Sequence, residues 1–583
     1  MRSNRAVGAN KRGAGAADVR EVSALRKALP FWPWLAAITS GLLGIGCFPP
    51  FNQSWFCWVA LTPLIAATWF SGENSKRRWL RDLLLGYVAG IVFFTGIFGW
   101  LGSLGTLFEN FWLHGLPLLL SLYLGMNFAF WSWFCGLVRP GLTKLEPTKD
   151  KWSEMLERAG KPATAIPTSP WLRSTNNLWL AFLLASAWST HEWIRGWLFG
   201  GFGWNGLGVA LWAKWPLIQI AQFTGVIGLS FVIAFVNVIA VTIPLRLFLE
   251  ARTRRMRPHW DINFTMLGVV GLLVFGWQVA RNPSQTKLLH VAAVQANIAQ
   301  QQKFDPQFTA QIFDRFTRLS EVALRSNPPT DLLVWPESSM PDPVRDENGE
   351  SYRFVMNFSA STKTDLLLGT IDLENGHDYN AAALVSDAGQ HVQIYRKLHL
   401  VPFGEYIPLR HSFPLFAVVA SNWVPGDFDV GKEYTIFRLT SGDVQVAPLI
   451  CFEDTIGELT RQFVLKGANL LANVTNDGWF LHSAGSQQHL ANAIFRCVET
   501  RRPMVRAANT GVTCFVNEFG RVTQLLQDET GGTFTEGVLA GEVNVPQDRQ
   551  LTFYARHGEL FAKFCACVTA IAIVTSVALR KRL

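Results

Sequence analysis

Eight apolar stretches recur along the 583-residue chain, at about 31–48, 54–70, 83–103, 114–138, 178–199, 217–248, 264–280 and 559–579. A run of about 17–25 apolar residues is long enough to cross a bilayer as a helix. The pattern therefore predicts an α-helical membrane bundle of about eight transmembrane helices. Composition agrees: 49% of residues are hydrophobic and only 16% charged, against about 25% charged in a typical soluble domain. The 24 Trp and 43 Phe suit a lipid-facing surface with interfacial anchors. The first two stretches are short and joined by Cys47-Phe48-Pro49-Pro50-Phe51-Asn52, which predicts a tilted hairpin.

A net charge of +9 raises the possibility of nucleic-acid binding, but the placement of the charges argues against it. Basic residues gather beside apolar runs, as at Lys76-Arg77-Arg78 and Arg252 to Arg257, and alternate loops carry them. The loops near 48–53 and 104–113 hold no Lys or Arg, and the 200–216 loop holds only Lys214. The positive-inside rule then puts both termini in the cytoplasm. The expected organisation is a basic cytoplasmic tail (1–28), seven helices (29–283), an extracytoplasmic domain (284–556), and an eighth helix with a basic cytoplasmic end (557–583). The first apolar run leads directly into a second, so it reads as a signal anchor, not a cleaved leader. The polar 139–177 segment reads as a solvated cytoplasmic loop.

Within 284–556, short apolar runs end abruptly at polar residues. Leu332-Leu333-Val334-Trp335 leads through Pro336 to Glu337, His391 to Tyr395 leads to Arg396 and Lys397, and Val444 to Ile450 stops at Cys451. Runs of this length read as strands. Helical patterns lie between some of them, at 306–324 and 486–502, which favours an α/β layered domain. In such sheets, sites gather at the carboxyl ends of strands. A thiol, a carboxylate and an amine meeting there would form an acyl-transfer device. Glu337 would take the thiol proton as sulfur attacks, and Lys397 would face the developing oxyanion. Taken alone, a strand-end cysteine is more often a small buried hydrophobe. Cys451, Cys497 and Cys514 also form no disulfide or zinc spacing.

The flanking sequence shifts that balance. Through Trp335-Pro336-Glu337, Tyr395-Arg396-Lys397 and Ile450-Cys451-Phe452-Glu453-Asp454 the chain resembles the nitrilase, or carbon-nitrogen hydrolase, superfamily. With the apolar spans, it resembles that superfamily's membrane branch, the apolipoprotein N-acyltransferases. Further matching segments are Lys397 to Pro408, Asn476-Asp477-Gly478-Trp479-Phe480, Gln487-Gln488-His489-Leu490-Ala491, Glu192 to Gly196 and Gly201 to Asn205.

The resemblance implies an α-β-β-α sandwich and a Cys451–Glu337–Lys397 triad. It also implies transfer of a phospholipid acyl chain to the N-terminal amine of a diacylglyceryl-cysteine lipoprotein. Glu405 and Glu453 are the expected supporting carboxylates, and Trp204, Phe304 and Trp479 the candidate substrate-binding residues. Phe304 stands where the family usually has Trp, and Phe452 where a Tyr can follow the nucleophile. His489 reads as packing or hydrogen bonding, and Arg496 with Glu499 as a helical ion pair. Trp204, Trp212 and Trp215 are expected at the membrane interface. No cofactor, metal or nucleic acid is implied, and the protein is expected to act as a monomer in the bacterial inner membrane. A tethered amidase and a transporter with an appended domain are the alternatives; the few intramembrane charges weigh against the second.

Overall fold

The fold is a computed structural model that describes residues 30–583 except 73–74, 140–145, 148–166, 169, 254–256, 282–284, 326–327, 409, 411–425 and 581–583. The basic tail at 1–28 and most of the 139–177 loop thus lie outside the described residues. Among the described residues, seven helices of nine residues or more precede the polar domain: α1 (Trp32–Gly46), α2 (Thr62–Phe70), α3 (Arg78–Ile97), α4 (Leu116–Leu137), α5 (Ser174–Arg195), α6 (Val226–Thr253) and α7 (Trp260–Ala280). Pro33, Pro63 and Pro117 sit in the first turns of α1, α2 and α4, where a missing N–H costs nothing. Helices α3 and α4 approach closely because glycines face each other. A Cβ on Gly90 would lie 2.8 Å from Gly125 Cα, the small-residue packing that lets membrane helices meet.

The polar domain contains two six-stranded sheets. The first has the order β12-β1-β2-β3-β4-β5, with β1 (Thr286–Gln295), β2 (Leu332–Val334), β3 (Asp365–Glu374), β4 (His377–Ser386), β5 (His391–Arg396) and β12 (Gly537–Pro546). The second runs β11-β10-β9-β8-β7-β6, with β6 (Phe437–Arg438), β7 (Gln445–Ile450), β8 (Leu470–Thr475), β9 (Met504–Ala508), β10 (Cys514–Val516) and β11 (Val522–Leu525). Strand periodicity divides the core in two. Ala292, Val294, Leu333, Leu366 and Leu368 face α8 (Thr309–Leu324) and α9 (Glu350–Thr362). Their neighbours Val291, Ala293, Leu332, Val334 and Leu367 join the core shared with the second sheet. Helices α10 (Gly457–Leu465) and α11 (Gly485–Thr500) belong to that second core, so the layers run α-β-β-α. The same core continues without a break into the helical bundle.

After the domain comes α12 (Leu560–Arg580). Among the described residues, five helices are long and apolar enough to cross a membrane: Arg78–Ile97, Phe111–Leu137, Val226–Ala251, Trp260–Ala280 and Leu560–Ala578. The other three expected spans differ. Helix α1 has 15 residues, about 22 Å at 1.5 Å per residue, short of a ~30 Å hydrocarbon core. The 54–70 stretch breaks into a 3₁₀ turn and the nine-residue α2. Helix α5 has the length but carries His191, Glu192 and Arg195 in its last turns. The 217–248 stretch is not one helix either. It breaks at Gly225, whose φ is +65°, and α6 starts beyond it with its Val226 N–H donating to Glu499 (3.0 Å).

Candidate active site

The carboxyl ends of β2, β5 and β7 converge. In the first sheet β2 and β5 run the same way, because β2 is parallel to β3 and β3-β4-β5 alternate. Trp335 anchors the end of β2. Its ring is buried against Phe316 and Phe358, and its indole donates to Ser320 (2.9 Å). This fixes the backbone two residues before Glu337. Strand β3 passes so close beneath that only glycine fits: a Cβ on Gly369 would lie 2.5 Å from Glu337 Cα.

Cys451 follows β7 directly and adopts φ +52°, a left-handed conformation that costs a non-glycine residue of order 1–3 kcal/mol. The surrounding structure holds it there. Asn473 donates to the Cys451 carbonyl (3.0 Å). Glu453, fully buried, takes four donors: Ile450 N–H (2.9 Å), Leu398 N–H (2.8 Å), His399 N–H (3.1 Å) and the Tyr395 hydroxyl (2.9 Å). One carboxylate thus ties the cysteine turn to the segment that carries Lys397. Burial pushes the Glu453 carboxyl up to about 7, against the pull of Lys397 and these donors.

Lys397 is 1% exposed and lies 2.8 Å from Glu405 and 3.9 Å from Glu337. Burial alone would lower its pKa. The attraction of Glu405, then Glu337, Cys451 and Glu453, outweighs burial and holds it well above the ordinary value. Cys451 moves up as well, through burial first and Glu337 second, with Lys397 opposing. At neutral pH the pair is therefore an ammonium beside an un-ionised thiol. Glu337 Oε1 accepts from Asn380 (2.9 Å), whereas the buried Oε2 has no hydrogen-bond partner among the described residues. A carboxylate oxygen left free beside a neutral thiol can accept its proton, and an ammonium in a dry site can hold an oxyanion.

Two site residues escaped the sequence reading. Asn380, in mid-β4, bridges Glu337 and Glu405 through its side-chain amide N–H₂, and its backbone carbonyl accepts the Lys397 backbone N–H (2.8 Å). A polar residue beside the buried run Ala381 to Val385 was the available signal. Lys303 is 2% exposed and donates to the Glu337 backbone carbonyl (2.7 Å). Burial pulls its pKa down to about 7, with Glu337 and Cys451 opposing. Its neighbour Phe304, the residue selected from sequence, is 46% exposed.

Trp204, expected as an exposed interfacial aromatic, is buried in the protein. It is 2% exposed, its ring parallel to Phe452 at 6.0 Å and 3° and to Phe202 at 6.1 Å and 10°. Contacts to the polar domain bury it, and the exposed aromatics of the region are instead Phe199, Trp197, Phe111 and Trp112. Trp212 and Trp215 are half-buried. Trp479, also half-buried, stacks on Phe108 at 6.2 Å. His489 is committed to Asp454 (2.8 Å) and Asp477 (3.0 Å), so neither ring nitrogen is left to form a dyad with Cys451. Burial would lower its pKa, but Asp454 above all raises it to about 9. Arg496 and Glu499 pair at 2.8 Å. Among the described residues, no disulfide joins the cysteines.

An α-β-β-α sandwich whose converging strand ends carry Cys451, Glu337 and Lys397 has the fold of the carbon-nitrogen hydrolase class. That family's model matches residues 290–550, and the model of the apolipoprotein N-acyltransferase N-terminal domain matches residues 40–239. An apolipoprotein N-acyltransferase of Geobacter metallireducens is 33% identical, over 95% of this chain and 97% of its own. One from Allorhizobium ampelinum is 28% identical, over 88% and 92%. A solved carbon-nitrogen hydrolase superfamily protein of Xanthomonas campestris aligns with 44% of this chain and 90% of its own, at 16% identity and TM-score 0.34. The chain belongs to the apolipoprotein N-acyltransferase family.

Proposed function

We propose that the protein moves an acyl chain from a membrane phospholipid to the N-terminal amine of a diacylglyceryl-cysteine lipoprotein, the last step of lipoprotein maturation, through a thioester on Cys451. One observation carries this reading. The buried Glu337–Lys397–Glu405 cluster and the Cys451 turn sit in a domain whose core is continuous with a bundle of membrane-length apolar helices. Glu337 takes the thiol proton as sulfur attacks the donor ester carbonyl. Lys397 faces the oxyanion. The carbon–oxygen bond breaks, and the leaving lysophospholipid alkoxide takes the proton back from Glu337. The lipoprotein amine then attacks the thioester carbonyl and gives its proton to Glu337. The carbon–sulfur bond breaks, and the proton returns to sulfur.

Glu405 orients Lys397, and Glu453 holds the nucleophile turn to the Lys397 segment. Phe304 and Trp479 flank the entry of lipid. Trp204 backs the nucleophile through Phe452. The chain acts as a monomer in the inner membrane through about eight helical segments, α1 and α2 entering as one short hairpin, with residues 284–556 in the periplasm and both termini cytoplasmic. The alternation of basic loops supports that orientation.

Purified protein in mixed micelles, given a phospholipid and a diacylglyceryl-cysteine peptide, is expected to yield N-acylated peptide and one lysophospholipid per acyl group transferred. Free fatty acid in place of acylated peptide, or ammonia from small amides, would favour a hydrolase and overturn the reading.

A further inference from the structure

Gln488, on the face of α11 that meets the bundle, makes five hydrogen bonds that none of the chemistry above uses. Its Oε1 accepts from the indole N–H groups of Trp100 (3.2 Å) and Trp204 (3.1 Å) and from the Asn205 amide (2.9 Å). Its Nε2 donates to the carbonyls of Pro49 (3.0 Å) and Ile97 (3.2 Å). The side chain is 2% exposed. One catalytic-domain residue thus satisfies buried polar groups from three separate parts of the membrane region: the 47–52 turn, the end of α3 and the 200–211 loop.

The third of these leads to the nucleophile. Trp204 lies between Gln488 and Phe452, the residue after Cys451, and its ring is nearly coplanar in orientation with that of Phe452. Phe202 stacks on Phe452 at 6.0 Å and 13°. Just before this loop stands Phe199, 83% exposed, with φ +53°. Two stacked rings, Phe202 and Trp204, therefore join this loop to the turn that carries the thiol. Rings alone would slide, because dispersion between them fixes no register. The bond from Trp204 to Gln488 supplies the direction that stacking lacks.

We infer that Gln488 is a positioning residue that pins the 200–211 membrane loop, through Trp204, against Phe452 and so fixes the route by which a lipid chain reaches Cys451. The inference rests on the acyl-transfer reading but makes a claim about the loop that can be measured without substrate.

Gln488→Met keeps the side-chain length and removes all five hydrogen bonds. It is expected to raise hydrogen exchange of the Phe202–Leu211 amides at least about tenfold. Cys451 acylation by phospholipid is expected to slow about tenfold or more, with the loss mainly in KM for the lipid donor and little change in alkylation of Cys451 by iodoacetamide. Trp204→Phe keeps a ring and deletes the indole N–H, and is expected to give a milder version of the same effects. Combined with Trp204→Leu, Gln488→Met is expected to add little to the slowing caused by Trp204→Leu alone, because both act through one contact.

Unchanged loop exchange in Gln488→Met would overturn the inference, as would a looser loop with undiminished acylation, or fully additive losses in the double variant. Wild-type protein that accepts no acyl chain would sink the acyl-transfer reading instead, and loop exchange would still decide whether Gln488 pins the loop.

Discussion

Glu337→Gln is expected to cut acyl transfer by ~10²–10⁴-fold, the usual worth of a positioned general base, while Cys451 stays at least as reactive toward iodoacetamide. The two readouts separate because the carboxylate has two effects of opposite sign. Its unpartnered Oε2 is the group available to take the thiol proton during attack. Its negative charge, however, raises the pKa of the thiol. Gln removes the proton acceptor and the charge together, and keeps an oxygen for the Asn380 amide (2.9 Å in the native carboxylate). At pH 9 the thiolate fraction then rises, and with it alkylation, while the ester carbonyl goes unattacked. A variant that lost both activities in parallel would point to a distorted site and contradict the role given to Glu337.

Lys397→Met should act in the other direction on the thiol. Lys397 lowers the Cys451 pKa against burial and Glu337, so its loss pushes the thiol further up and slows alkylation. Acyl transfer is expected to fall by ~10²–10³-fold, the scale of removing one oxyanion-stabilising group. Part of that loss is structural, because Glu405 at 2.8 Å and Glu337 at 3.9 Å are left as buried carboxylates without their cation. Lys397→Arg is not expected to rescue: a planar fork does not fit a pocket shaped for a compact ammonium. Because the neighbouring carboxylates hold the Lys397 pKa high, the wild-type rate should show no loss from lysine deprotonation between pH 7 and about pH 9. A basic limb inside that range, absent from Lys397→Met, would contradict the assignment.

Glu337, Lys397 and Cys451 were legible as candidates because each follows an apolar strand at its carboxyl end, where a buried charge or thiol needs a reason to be. Their surroundings were not. Lys303 reaches a backbone carbonyl 34 residues away, and Asn380 lies 43 residues from Glu337 in sequence. Gln488 reaches Pro49 across 439 residues. Such bonds follow from how sheets and helices close on one another, and no local pattern encodes them.

Trp204 shows the same limit from the other side. An aromatic in a loop between apolar spans suits an interface, until the downstream domain covers it with Phe452 and Gln488, 248 and 284 residues away. Apolar runs marked all eight helical segments and the shortness of the first two, but hydropathy alone did not foresee that a 3₁₀ turn interrupts the second or that Gly225 splits the sixth span.

The central claim is covalent, and intact-protein mass tests it most directly. Protein incubated with a phospholipid of defined chains, without acceptor, should gain one acyl group in place of the thiol proton. Hydroxylamine should remove it, and Cys451→Ala should gain nothing. Wild-type protein that stays at its unmodified mass while still acylating a diacylglyceryl-cysteine peptide would contradict the thioester route.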